Sequence, residues 1–511
     1  MALSHSALGD RVSRLGSLSP RALRQMAPAE TIVLLGLLIA ALFGALLAVS
    51  VSLHVILALA VLPLVFAVVW MSPRSTILGL AIWLFALGMV RRLIGSGNST
   101  GLGDPLLLVG PTVLVLLLVV ACGRGAVRNR SLLANAIGLL SLLVLVEALN
   151  PLQGGLLVGL GGLLFVLVPM LAFWVGRSLL DDVTLRRLFR LIAVLSVLSA
   201  TYGLVQQFVA FPSWDKRWIA SNGYVALNVN GVTRAFGNFS SATEYAAFLS
   251  VGLVVLVSNL RSVRRVLLPL HLAAIGFVGY ALVLSSVRTS LVLAAVALGS
   301  IAAARVRLRP RTALLAGALA VVALSVGLSH VSVSSQATTS ATANPTGTLL
   351  QHDISGITSP TGTGSTLPGH LSETFGGIKS AFSQPMGHGT GSVTLASQHL
   401  GGRANVGTES DLGNAGRGLG LLGLLLYVVV VVQGLRCTYR LAVRRRDALA
   451  LASLGLLVVM LFQWLSGDLY SVAWLVWLSL GWVDRNAHLH PSENVPSPIR
   501  RDRAKHVRAI A

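Results

Sequence analysis

The feature that most constrains this chain is its series of long apolar runs with few or no charged residues. An α-helix needs about 20 apolar residues to cross a bilayer, and within a membrane each backbone polar group must be paired inside the protein. Fourteen runs can be placed, with an error of about two, at residues 31–48, 53–71, 76–90, 106–122, 132–149, 156–176, 189–210, 245–260, 266–285, 289–304, 312–330, 418–435, 449–466 and 469–483. The sequence therefore predicts an all-α polytopic membrane protein with about 12–14 transmembrane helices.

The charge distribution predicts how the chain is oriented in the membrane. Only 11% of the residues are charged, against about 25% in soluble globular proteins, which excludes that class. The net charge of +22 would suggest a nucleic-acid partner in a soluble protein. With a cytoplasmic N-terminus, however, 30 of the 39 Lys and Arg residues fall in inner segments and 9 in outer ones. Because basic residues collect in cytoplasmic loops, we expect a multi-pass protein of the cytoplasmic membrane, both termini cytoplasmic, and no nucleic-acid partner.

These expectations divide the chain into consecutive parts. Residues 1–30 form a cytoplasmic N-terminal segment, and residues 31–330 form the first part of the membrane domain, with about 11 helices. Residues 331–417 form a large extracytoplasmic loop near the C-terminus, followed by the last membrane helices in residues 418–483. Residues 484–511 form a basic tail that we expect to be disordered in the cytoplasm.

The large loop differs in composition between its two halves. Residues 331–370 are rich in Ser, Thr and Gly and carry almost no charge, which is typical of a flexible segment without a core. From Leu371 to Arg417 charged residues and glycines increase. We expect this second half to fold over the membrane domain.

Two outer arginines are candidates for binding an anion. Arg288 lies where two apolar runs meet at the outer face, in LSSVRTSLV, and Arg234 lies ten residues before another run. A guanidinium offers a phosphate a permanently charged, forked set of donors. Anchoring of the helix at the interface is the alternative role for Arg288.

The run after Arg234 begins with a helix-start signature. Ser241 and Glu244 have the spacing of a capping box, and a helix N-terminus there would add to an anion site beside Arg234. A simple cap is the favoured role for Glu244.

The end of the large loop supplies candidates for acid–base chemistry. Glu409 and Asp411 are carboxylates that would accept a proton from a sugar hydroxyl, and solvation of the loop is the alternative role. Asn414, Arg417 and His388, the last in the Gly-rich run PMGHGTGS, are further candidates. No nucleotide-binding loop or metal-binding motif is present in the sequence, so we expect no cofactor and no metal.

These segments, in this order, resemble the O-antigen ligase and O-antigen polymerase family of polytopic membrane glycosyltransferases. RAFGNFSSATEYAAFL resembles the family's Arg-containing stretch before a membrane helix, and LSSVRTSLVLAAVAL resembles its "S-R-x-x" helix. PMGHGTGS resembles the "G-x-G-x-G" run. ESDLGNAGRGLGLLG resembles the segment that closes the loop, with Gly420 and Gly423 at its two glycines and Glu409 at the position where the family has His.

The resemblance implies metal-independent transfer of a glycan at the outer face of the cytoplasmic membrane. The donor would be a polyprenyl-diphosphate-linked glycan, and the acceptor a hydroxyl of a glycan or lipid in cell-surface polysaccharide biosynthesis. Arg234 and Arg288 would bind the diphosphate, while Glu409 or Asp411 would orient or deprotonate the acceptor. The motifs do not separate ligase from polymerase.

Two other classes of function remain open. A multi-pass transporter or flippase for lipid-linked oligosaccharide would also have many spans, but it should carry polar residues within them, and this sequence has few. A non-enzymatic scaffold or sensor of the cell envelope is the other alternative.

Overall fold

We describe the protein from a computed structural model that covers residues 72–94, 104–124, 131–222, 228–229, 231–329, 345–359, 367–402, 406–465 and 469–488. The N-terminal segment, the runs at 31–48 and 53–71 and the tail beyond residue 488 lie outside the described residues, as do 330–344 and 360–366 of the segment expected to be flexible.

The described chain consists almost entirely of helices, with a single short β-hairpin. The hairpin strands are β1 (Asn228–Val229) and β2 (Val232–Thr233), which pair antiparallel. The helices are α1 (Pro73–Ile94), α2 (Val109–Gly123), α3 (Leu132–Glu147), α4 (Leu156–Phe165), α5 (Leu167–Leu179), α6 (Asp182–Phe208), α7 (Ser213–Asn222), α8 (Ala242–Asn259), α9 (Leu268–Leu284), α10 (Arg288–Arg305), α11 (Pro310–Ser329), α12 (Pro345–Thr358), α13 (Leu367–Ser383), α14 (Leu395–His399), α15 (Asp411–Arg445), α16 (Ala448–Val459) and α17 (Ala473–His488).

The prediction of an all-α polytopic membrane protein is confirmed. Eight stretches of helix in the described residues are long and apolar enough to cross a membrane, and Leu132–Glu147, Pro310–Val326 and Ala448–Val459 are shorter apolar helices. Each predicted run within the described residues coincides with a helix. Several helices begin at a side-chain cap, as α3 does at Ser131 and α6 at Asp181, because a cap oxygen pairs an otherwise free backbone N–H.

Buried ion pairs join helices in the core. Arg91 Nε lies 2.6 Å from the Asp104 carboxylate, and Arg177 Nε lies 3.0 Å from Asp484. A charge without a partner in such surroundings would be costly. These ion pairs are therefore structural contacts that neutralise buried charges.

The long helix α15 is broken at Gly420, which has φ 67° and ψ −160°. The half-helix Asp411–Leu419 folds back, because Tyr427 Oη donates a 2.8 Å hydrogen bond to Asp411 Oδ2 sixteen residues earlier. Sixteen residues of straight helix rise about 24 Å, which exceeds the combined reach of the two side chains. The first part of α15 therefore turns back from the part that spans the membrane, and the helix begins before the boundary predicted at residue 418.

The Gly-rich run PMGHGTGS fills this break. The amides of His388 and Gly389 donate to the carbonyls of Arg417 and Gly418 at 2.8 and 3.0 Å, and the Leu421 amide donates to the Pro385 carbonyl at 3.0 Å. The hydrogen bonds lost at the broken turn are thereby replaced, as burial requires.

The prediction of a flexible segment without a core is wrong over Pro345–Thr358. These residues form α12, in which Leu349 and Asp353 are fully buried. The segment packs against the α9–α10 connection and the β-hairpin, so contacts distant in sequence provide the core that its composition lacks.

Candidate functional site

The β-hairpin and α12 are held together by a small apolar cluster of Val229, Val232 and Leu349, all buried. Arg234 follows β2 directly, so this packing brings it beside the side chains of α12. The cluster thus positions an arginine that the sequence leaves in an extended loop.

A strained turn places α10 against the same helix. Ser286, between α9 and α10, has φ 52°, a conformation that side-chain-bearing residues adopt infrequently. Its Oγ lies 3.0 Å from Asp353 Oδ1 and 3.4 Å from the Leu349 carbonyl oxygen. These contacts with α12 hold the turn and direct Arg288, the first residue of α10.

The guanidinium of Arg288 rests on α12. Its Nη2 lies 2.8 Å from Nδ1 of His352, and a Cβ added to Gly356 would overlap the guanidinium. Burial and the nearby Arg288 and Arg234 charges lower the pKa of His352 to about 4. His352 is therefore neutral near pH 7 and accepts the hydrogen bond from Arg288.

Arg234 is close enough to Asp353, Arg288 and Glu409 for their charges to act on its guanidinium. Burial raises the pKa of Asp353 to about 7, although Ser286 and the two arginines act in the opposite direction. Near neutral pH this carboxyl is only partly ionised. It therefore balances the two cations only in part.

Within the described residues, several buried polar atoms of this cluster have no hydrogen-bond partner. They are Nε of Arg234, Nε and Nη1 of Arg288, and Oδ2 of Asp353. Buried donors are paired in almost all folded proteins, and leaving one unpaired costs about 1–3 kcal/mol. Adjacent guanidinium N–H groups without partners therefore form a site with the chemistry to bind a phosphate or diphosphate.

Glu409 is exposed and close enough to Arg234 for their charges to interact. Its Oε2 is 2.8 Å from Nδ1 of His370, and its side chain is 73% exposed. The hydrogen bond from His370 lowers the pKa of Glu409, and the same contact raises the pKa of His370. The carboxylate is therefore ionised near pH 7 and accessible to a large molecule.

The other candidate carboxylates are held in structural contacts. Asp411 is fully buried and accepts hydrogen bonds from Tyr427 and from the Leu465 amide, each at 2.8 Å. The helix start predicted at Ser241 is confirmed, because the Glu244 amide donates to Ser241 Oγ at 3.2 Å. The Glu244 carboxylate accepts from the Ser471 hydroxyl at 2.7 Å.

The remaining predicted residues hold the loop around the α15 break. Asn414 pairs with the backbone of Thr408, its Oδ1 accepting at 2.6 Å. Arg417 Nη1 donates to the Val406 carbonyl at 2.8 Å, and His388 Nδ1 lies 3.1 Å from the Arg417 carbonyl oxygen. Three of the predicted site residues, Arg234, Arg288 and Glu409, are thus brought together, and the others lie in these structural contacts.

The sequence interpretation missed His352, Asp353 and His370. A signal was present for the first two: LLQHDISG contains an adjacent His and Asp within a stretch that is otherwise almost uncharged. Nothing in the sequence distinguishes Gly356, because the side chain that it contacts, Arg288, is 68 positions away.

Comparison with protein-family models and with curated proteins gave no match to this chain.

Proposed function

We propose that the protein is a membrane glycosyltransferase of the O-antigen ligase or polymerase type. It would move a glycan from a polyprenyl-diphosphate carrier to an acceptor hydroxyl at the outer face of the cytoplasmic membrane. The observation that carries the proposal is the pair Arg234 and Arg288, whose buried guanidinium N–H groups have no partner among the described residues, at the end of a membrane-spanning helix.

The position of the pair suits a lipid-linked donor. Arg288 begins a helix of 18 residues, which rises about 27 Å and so crosses most of the hydrocarbon core. Its guanidinium lies at one end of that span, at the depth of a lipid head group. A diphosphate there keeps its prenyl chain in the bilayer while its oxygens reach both arginines.

In this proposal the arginines stabilise the leaving group. As the acceptor oxygen bonds to the anomeric carbon, the carbon–oxygen bond to the diphosphate breaks, and its electron pair passes to the diphosphate oxygen. Fixed cations at that oxygen stabilise the charge that develops in the transition state. Arg234 and Arg288 supply this stabilisation.

Glu409 is the proposed acceptor of the hydroxyl proton. It is exposed, it is close to Arg234, and His370 orients it. An oxocarbenium-like transition state acidifies the attacking hydroxyl, so an ionised carboxylate of low pKa suffices. Asp411 is not carried forward, because it is buried in contacts with Tyr427 and Leu465.

The test is glycan transfer by variants returned to a deletion strain. Arg234→Ala and Arg288→Ala should each lower transfer by roughly 10²–10³-fold, the effect of removing one stabilising donor. Arg217→Ala, at an exposed arginine of α7, is the matched control and should keep wild-type transfer. Full transfer by both site variants would exclude this assignment.

The same strain separates the enzyme from the flippase alternative. An enzyme deletion should leave the polyprenyl-linked glycan on the outer leaflet. Accumulation on the inner leaflet would indicate a flippase instead.

A further inference from the structure

Helix α13 has an exposed apolar face beside the candidate site. Leu371, Phe375 and Phe382 are 46%, 65% and 65% exposed within the described part of the chain, and Met386, just after the helix, is 74% exposed. The helical residues are four and seven positions apart, so they share one face. Glu373 and Ser380 occupy the opposite face, which makes the helix amphipathic.

The buried side of α13 packs along the half-helix at the start of α15. Thr374 Oγ1 lies 2.7 Å from Ser410 Oγ, and a Cβ at Gly377 would overlap the backbone of Gly413. Farther along, the Leu421 amide bonds to the Pro385 carbonyl. Residue numbers therefore increase in the same direction along the two segments, so α13 and the half-helix run parallel and side by side.

The half-helix turns back at Gly420 from the spanning part of α15, as the Tyr427–Asp411 hydrogen bond requires. Because α13 runs beside it, α13 does not continue the span either. Helix α13 therefore lies at one end of the membrane helices, where an apolar face would meet the boundary between head groups and acyl chains.

The apolar face continues into surfaces that face lipid. Leu422 and Leu425 of the spanning part of α15 are each 56% exposed. This exposed surface begins close to Pro385 and Met386, because the Leu421 amide bonds to the Pro385 carbonyl. On the other side, Asn150 Nδ2 donates to the Gly387 carbonyl at 3.3 Å, beside the exposed Leu149 at the end of α3.

We propose that α13 is an interfacial helix whose Leu371–Phe375–Phe382 face, extended by Met386, inserts into the bilayer leaflet on the α12 side of the membrane. The partner is the lipid surface itself. Amphipathic helices of this kind bury their apolar face about 5–10 Å into the boundary between head groups and acyl chains. Because His370 is on α13, lipid binding would also fix the position of Glu409. The proposal does not depend on the glycosyltransferase function.

The experiment is site-directed spin labelling of the full chain in phospholipid vesicles. The two cysteines, Cys122 and Cys437, are replaced by Ala, and nitroxides are attached to Phe375→Cys or Phe382→Cys. Glu373→Cys, on the opposite face of the same helix, is the matched control, and Leu425→Cys is the reference for a lipid-facing position. Collision rates with O₂, which partitions into lipid, and with a water-soluble nickel chelate are compared at each position.

We expect labels at 375 and 382 to resemble the label at 425, with O₂ collisions raised and nickel collisions lost, while the label at 373 collides with nickel. Nickel access at 375 and 382 equal to that at 373 would show a water-exposed face and overturn the proposal. Loss of both collision types at 375 and 382 would show that protein covers this face, from this chain or a second copy, and would equally overturn it. Gel filtration of each variant in detergent confirms folding before reconstitution.

Discussion

Adding one methyl group at Gly356 tests the proposed anion site without removing any charged residue. In Gly356→Ala the new Cβ would occupy the position of the Arg288 guanidinium. The atoms displaced are the end of a long side chain, so Arg288 should move away while α12 stays in place.

The two effects on stability have opposite signs. Losing the 2.8 Å bond between Arg288 and His352 costs about 1.5–3 kcal/mol, because its donor is charged. Replacing Gly by Ala within a helix contributes about 0.5–1 kcal/mol in the opposite direction. The free energy of unfolding should therefore fall by about 0.5–2.5 kcal/mol.

A separate effect is expected on ligand binding. A hydrogen bond to a charged group contributes about 1.5–3 kcal/mol, which corresponds to roughly a 10- to 100-fold rise in Kd. Undecaprenyl diphosphate is the probe, titrated against protein in detergent, and thermal unfolding is followed by tryptophan fluorescence. The matched control is Gly369→Ala on α13, where a Cβ has open space, and it should bind the probe like the wild type. If Gly356→Ala binds the probe with wild-type affinity, Arg288 does not bind diphosphate from the position that it has in this structure, and our assignment is refuted.

Three further perturbations test other parts of the structure. Burial raises the pKa of Asp353 from its usual 3.8 to about 7. Below about pH 4 the carboxyl is neutral in both states and its burial carries no charge penalty. As the pH rises through 7 the wild type loses this stability, because the buried carboxyl must then ionise. Asp353→Asn should accordingly be more stable than the wild type at pH 8, by roughly 2–4 kcal/mol, and equal to it near pH 4. Thermal unfolding of both proteins across this pH range is the measurement. A rise in the stability of the wild type relative to the variant with increasing pH would contradict the argument. Tyr427→Phe should lower the free energy of unfolding by about 1–3 kcal/mol, because it removes a buried partner of Asp411, with diphosphate affinity unchanged; a selective loss of affinity would mean that Asp411 belongs to the site. Gly391→Ala should destabilise the fold by at least about 1–3 kcal/mol, because its Cβ would overlap the Val158 carbonyl; unchanged thermal unfolding would disprove that close packing.

The membrane helices were predictable because the signal for each is local. A run of apolar residues is costly in water at any position along a chain, so α8, α9 and α10 appear in the sequence as they appear in the structure. The caps at Ser241 and Ser131 are local for the same reason, since a cap and the amide it pairs lie within one turn.

The contacts of the Gly-rich run are not local in the sequence. Glycines allow backbone to approach a ligand or another part of the chain closely, and in the structure they lie at close contacts within the chain. A Cβ at Gly391 would meet Val158, and one at Gly420 would meet Pro385. A glycine required for close packing of two backbone segments cannot be distinguished, from the sequence alone, from a glycine required at a ligand site.

By itself, the sequence determined the class of fold and placed Arg234, Arg288 and Glu409 among the candidate site residues. An arginine at the end of an apolar run is conspicuous without any knowledge of its neighbours, because desolvation makes it costly. Only the tertiary structure decided which groups surround those arginines. His352 and Asp353 reach Arg288 and Ser286 across 64 and 67 positions of the chain, and His370 reaches Glu409 from another helix. These contacts form when α12 and α13 pack on the ends of the membrane helices, and no interaction between sequence neighbours specifies that packing.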